Sequence, residues 1–141
     1  MNSESLVILL VEDDPAHAEI VLRNFEDLHL ANRVIVVENG QDALDYLFRR
    51  EKFADTTAYP MPGLVLLDLR LPKVDGLEVL RIIKSDEIVG RIPVVILTTS
   101  IDEFDKLRAS QFDANSYLVK PINFSQIIQL MESLGFYWLM E

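Results

Sequence analysis

The fold class this sequence predicts is α/β: one doubly wound sheet of five parallel strands with helices on both faces. Three observations predict it. Short apolar runs alternate with segments of helical period from one end of the chain to the other. The runs, Leu64-Val65-Leu66-Leu67 above all, are continuous in hydrophobicity, which marks strands buried on both faces. And 141 residues, 50% of them hydrophobic, suffice for one domain with a sizeable core. The chain reads as a single domain over 1–141 with an apolar tail at 135–141.

Leu6–Val11 is the first strand. Glu12-Asp13-Asp14-Pro15 follows, and Asp14 before Pro15 is a good helix start: a capping carboxylate, then a proline at the first helical position. The helix after it carries Ala18, Val21, Leu22, Phe25 and Leu28 at core spacing. Arg33–Glu38 is the second strand, and Asn39-Gly40 a turn. Asp42–Arg50 reads as a helix with Leu44, Leu47 and Phe48 inward. Lys52–Gly63 has two prolines and no period, so it reads as a long surface connection. Leu64–Leu69 is the third strand, Leu71–Gly76 a loop, and Leu77–Lys84 a helix. Pro93–Thr98 is the fourth strand, Asp102–Ala109 a polar helix and Ser116–Val119 the fifth strand. The last helix spans Asn123 to Leu134, with Phe124, Ile127, Ile128 and Met131 facing the core. Right-handed crossovers favour the flavodoxin-like strand order 2-1-3-4-5.

In a parallel sheet the carboxyl ends of all strands share one edge, where open α/β folds bind ligands. That edge would gather Glu12-Asp13-Asp14, Asp68, Thr98 and Lys120, each from the end of a different strand. Carboxylates crowded together repel. Lys120 can offset one charge, and a hard divalent cation such as Mg²⁺, which takes oxygen ligands and keeps several waters, suits the rest. A carboxylate beside such a cation and an ammonium can attack phosphorus to form an aspartyl phosphate. The cation and Lys120 would stabilise the transferring phosphoryl oxygens, and Thr98 would offer one of them a hydroxyl. His17 and His29 lie on or just past the first helix, and both read as solvated or structural.

Composition narrows the partners. Lys plus Arg is 13 and Asp plus Glu is 23, a formal charge of −10, which repels nucleic-acid phosphates. No run of eighteen or more apolar residues is present to span a membrane. The start carries no basic residue before Leu6–Val11, which speaks against a secretion signal, and there is no cysteine for a disulfide or thiolate metal site. Cytoplasmic residence fits these features.

The set Val-Glu-Asp-Asp-Pro (11 to 15), Leu-Leu-Asp-Leu-Arg-Leu-Pro (66 to 72), Asp-Gly (75, 76), Pro-Val-Val-Ile-Leu-Thr (93 to 98) and Tyr-Leu-Val-Lys-Pro (117 to 121) resembles the receiver domain of bacterial two-component response regulators. The long Lys52–Gly63 segment and the apolar ending are similar to single-domain regulators that partner bacterial phytochromes. The resemblance implies a phosphoacceptor switch rather than an enzyme, with at most slow self-dephosphorylation. Asp68 would take the phosphoryl group from a histidine kinase. Asp13 and Asp14 would hold Mg²⁺, with Asp68 and the backbone carbonyl of Arg70 as further ligands. Thr98 and Lys120 would grip the phosphoryl group. Tyr117 would turn inward as Thr98 moves, and the change would be read on the face of the fourth helix, fifth strand and fifth helix. Arg70 and Thr99 would tune the phosphate lifetime.

Rival readings stay open on sequence. An aspartate-nucleophile phosphatase usually wants a second carboxylate two residues after the nucleophile, where Arg70 stands. A flavin-binding relative would need a phosphate cradle after the first strand, where Glu12-Asp13-Asp14 would repel phosphate. A phosphate-independent binding module is the third.

Phe136, Tyr137 and Trp138 in the tail, joined by Leu130 and Ile20 off the core stripes of their helices, predict a homodimer surface. A chain ending at Gly135 should therefore sediment as a monomer where the full chain sediments as a dimer; an unchanged state would remove the tail from the interface. Thr99 is bulkier than the small residue common there, so Thr99→Ala should shorten the aspartyl-phosphate half-life, followed as loss of the phosphorylated mass with time.

Overall fold

The computed structural model describes residues 7–27, 33–98, 111, 116–120 and 123–133. The expected helix at 102–109, the tail residues Phe136, Tyr137 and Trp138, and Leu28, His29 and Thr99 lie outside the described residues, as does the Leu130 side chain. Five strands form one parallel sheet: β1 (Val7–Val11), β2 (Arg33–Val37), β3 (Leu64–Asp68), β4 (Val94–Thr98) and β5 (Ser116–Val119), in the order β2-β1-β3-β4-β5. Three helices, α1 (Pro15–Asp27), α2 (Gly40–Leu47) and α3 (Gly76–Ser85), follow β1, β2 and β3, and a last helix spans Phe124–Ser133. Among the described residues no helix is long and apolar enough to cross a membrane.

The continuous apolar strands are explained by a core on each face. Successive side chains of a strand point to opposite faces. Ile8, Leu10, Leu64, Leu66, Val95 and Leu97 pack with Ala18, Val21 and Phe25 of α1. Their neighbours Leu9, Val11, Val65, Leu67, Val94 and Ile96 pack with α2 and α3 through residues such as Leu44, Leu47, Leu80 and Ile83. All five residues of β3 are buried. Asn24 holds a buried place on α1, its amide donating to the Ile20 carbonyl at 2.9 Å, while Leu22 is half-buried.

Two segments depart from the sequence expectation. The second helix starts at Gly40, not Asp42, because the Asn39 side chain caps it by accepting from Asp42 N at 2.8 Å. It ends at Leu47, and Phe48 is half-buried against the core. The connection 52–63 is no mere surface loop. Phe53 is buried, and its ring lies 5.2 Å from Tyr46 and 5.0 Å from Tyr59 between centroids. The loop carbonyls of Ala58, Tyr59 and Pro60 accept from Arg33, Arg49 and the Tyr46 hydroxyl at 3.2, 2.8 and 2.7 Å. Burial pushes the Tyr46 phenol up. A segment without helical or strand period has thus been given an aromatic core and side-chain hydrogen-bond partners of its own.

The loop after β3 is squeezed between two glycines. A β-carbon on Gly40 would stand 2.0 Å from the Val74 carbonyl oxygen. One on Gly76 would stand 2.4 Å from the Asp68 carbonyl oxygen and 2.5 Å from the Leu69 α-carbon. Both obstacles are backbone, so nothing rotates away. Asp75 caps α3 by accepting from Leu77 N at 3.2 Å, and Gly76 N donates to the Leu69 carbonyl at 3.0 Å. These contacts fix where the end of β3 sits. Gly76→Ala should cost about 1–3 kcal/mol, as overpacking of tight sites does, seen as a lower urea midpoint at unchanged slope; an unchanged midpoint would show that the loop gives way freely.

Candidate functional site

The site is assembled by strand register. Val11 pairs with Leu67, so the next residue, Glu12, lies level with Asp68. Asp68 pairs with Leu97, which puts Thr98 one step beyond, and Thr98 pairs with Val119, just before Lys120. Lys120 N donates to the Thr98 carbonyl at 2.7 Å, which ties the end of β5 to the end of β4.

Asp68 is buried at the end of β3. Its Oδ1 accepts from Arg70 N at 3.0 Å and its Oδ2 from the Lys120 ammonium at 2.9 Å. The same ammonium donates to Glu12 Oε1, and the two side chains are 8% and 1% exposed. Glu12 Oε2 accepts from Asp14 N at 3.2 Å. Burial pushes the Glu12 carboxyl above the ordinary carboxylate value, neighbouring Asp68 pushes the same way, and Lys120 offsets part of the rise. For Lys120, burial works against the charge, but the bonds to Glu12 and Asp68 more than offset it, so its pKa lies above the ordinary lysine value.

Among the described residues, the carboxylate oxygens within 4.8 Å of one another belong to Glu12, Asp13 and Asp68. Asp14 is not among them, although the sequence reading set it beside Asp13. Its Oδ1 is spent as the cap of α1, accepting from Ala16 N at 2.9 Å. The register points to Glu12 instead: it follows the last residue of β1 at the level where β3 presents Asp68. A buried acid between a strand and two further acids was legible as a candidate, but the choice among three consecutive carboxylates needed the register.

The other expected residues fall as follows. Thr98 is buried at its strand end. Arg70 is exposed, and its backbone N–H holds Asp68. Tyr117 on β5 is 42% exposed. His17, read from sequence as remote from this edge, is part of it: its Nδ1 lies 3.1 Å from Lys120 Nζ and 3.7 Å from Glu12 Oε1. Helical side chains lean toward the helix N-terminus, and His17 stands three residues after Asp14 at the start of α1. That lean was the available signal.

Two buried carboxylates and an exposed third, against one ammonium, leave an excess of negative charge that a hard cation with oxygen ligands fits. The arrangement joins a strand-end carboxylate to two further carboxylates and a lysine, with a threonine at the end of the neighbouring strand, and the sequence agrees. Over residues 8–132 it matches the family described as response regulator receiver domain. This chain belongs to that family. The receiver is 45% identical over 136 residues to the probable methanogenesis regulatory protein FilR2 of Methanothrix harundinacea (strain 6Ac), covering 96% of this chain and 85% of that one. It is 42% identical to the bacteriophytochrome response regulator AtBRR, with a TM-score of 0.86 and 98% of each chain covered. It is 37% identical to the Mn²⁺-bound form of response regulator Rcp1, a Synechocystis sp. protein, with a TM-score of 0.78 over 91% of this chain and 92% of that one. The receiver works in phosphorelay signalling, as response regulators of its family do.

Proposed function

We propose that Asp68 is the phosphoacceptor and that the donor is a phosphohistidine of a sensor histidine kinase. One observation carries this: the buried Asp68 carboxylate receives Lys120 on one oxygen while Glu12 and Asp13 converge on it. An Asp68 oxygen attacks phosphorus, the phosphorus–nitrogen bond of the donor breaks, and the histidine leaves. Glu12, Asp13, Asp68 and the Arg70 carbonyl would hold Mg²⁺, which stabilises charge on the transferring phosphoryl group when bound. Lys120 turns its protons from carboxylate to phosphoryl oxygens, and the Thr98 hydroxyl donates to another.

The added charge then favours one of two packings. Thr98 moves toward the phosphoryl group, Tyr117 leaves its exposed position to fill the space, and the surface around β5 and the last helix changes. Arg70 and Thr99 set how water reaches the phosphoryl group, so the receiver behaves as a switch with slow self-dephosphorylation, not as a turnover enzyme. The likeness to AtBRR supports a bacterial phytochrome as the kinase. The receiver acts as one domain over 1–141, in the cytoplasm, and as a homodimer through Leu130, Phe136, Tyr137 and Trp138.

Incubation with Mg²⁺ and acetyl phosphate should add one phosphoryl mass to the intact protein. The adduct should vanish in Asp68→Asn and in EDTA. An adduct that persists in Asp68→Asn would place the acceptor elsewhere, and no adduct with any donor would leave a phosphate-independent binding module.

A further inference from the structure

An ammonium carries three protons and no lone pair. Those of Lys120 go to Glu12 Oε1, to Asp68 Oδ2 at 2.9 Å and to His17 Nδ1 at 3.1 Å. The third contact is a hydrogen bond only when Nδ1 presents its lone pair and the ring proton sits on Nε2. At the far side of the ring, Nε2 lies 3.5 Å from Asp14 Oδ2, an acceptor that favours a proton there. Glu12 Oε1 also faces Nδ1, but at 3.7 Å it lies beyond hydrogen-bond reach, so the nearer Lys120 and Asp14 select the same tautomer. Asp14 is free for this because its other oxygen caps α1 and the cation-binding group takes Glu12 in its place.

We propose that His17 is a positioning residue for Lys120, held in its Nε2–H tautomer by Asp14. This rests on the reading of Asp68 as phosphoacceptor. Two of the three partners of Lys120 have competing duties: Glu12 belongs to the cation-binding group, and Asp68 is the nucleophile. His17 has neither duty. Its bond keeps Nζ beside Asp68 while the other two ammonium protons move to phosphoryl oxygens.

The test compares initial rates of phosphoryl uptake from acetyl phosphate with Mg²⁺, read by intact mass, in the full chain. His17 is 39% exposed, so leucine is accommodated there. His17→Leu, which has no lone pair, should slow uptake about tenfold, the rate equivalent of losing a hydrogen bond to a charged group. His17→Asn, whose Oδ1 stands near the place of Nδ1, should restore most of the rate. In a Lys120→Met background His17→Leu should have no further effect, because the partner it positions is gone. The ¹⁵N spectrum of the imidazole should show the Nε2–H tautomer, and Asp14→Asn, which keeps the cap, should reduce its share. Unchanged uptake in His17→Leu, an Asn variant as slow as the Leu variant, an undiminished effect without Lys120, or an Nδ1–H ring would each overturn the proposal. The spectrum needs no phosphoryl group. A wild-type protein that took up none would overturn the acceptor reading, while the tautomer would still decide what His17 does.

Discussion

Repulsion among carboxylates at one edge of the sheet is the constraint on which the rest of the structure depends. Glu12, Asp13 and Asp68 bring oxygens within reach of a single ion, and two of the three are buried. An unpaired buried charge costs several kcal/mol. The cluster is offset by a cation in the protein itself, which Lys120 supplies from the end of β5. The anchoring of Lys120 N to the Thr98 carbonyl, the register of β4 on β3 and the burial of β3 on both faces all bear on where that one ammonium stands. A receiver built this way is poised: its internal cation offsets part of the negative charge, and the ammonium of Lys120 is shared between Glu12 and Asp68.

The rigid half of this arrangement is the floor under Asp68. Strand β3 packs on both faces, and the backbone of residues 68–69 meets Gly76 with no room for a methyl group. The outer half is less enclosed. Leu118 on β5 is only partly buried against the core, and Tyr117 stands well into solvent. The asymmetry places Asp68 on the most enclosed part of the sheet and Tyr117 on a more open one.

Much of the fold was legible because its signals are local. Unbroken apolar runs of strand length, a carboxylate ahead of Pro15 and the Asn39-Gly40 turn follow from backbone and burial preferences of the residues concerned. Asp68 and Lys120 were legible for a different reason: each is a charged residue terminating an apolar run. What escaped depended on distance through space. Glu12 and Asp14 are chemically alike and two positions apart, and only the pairing of β1 on β3 separates the one that clusters with Asp13 and Asp68 from the capping one. His17 reaches the site by leaning back along α1, which a count of helix faces does not register. The connection 52–63 escaped because its order comes from partners in other segments and not from a period of its own.

That connection has a further consequence for anyone rebuilding the domain. Three of its carbonyls are claimed by Arg33 on the edge strand, Arg49 after α2 and Tyr46 within α2, while Phe53 and Tyr59 close on the Tyr46 ring. The loop and these three side chains form a cassette. Grafted into a shorter-looped scaffold without them, it would lose both its dry centre and its hydrogen-bond partners. Cut out of this chain, it would leave a tyrosine and two arginines facing a gap. Exchange between relatives would succeed with the unit moved whole, from Arg33 to Gly63, more readily than at the boundaries of the loop.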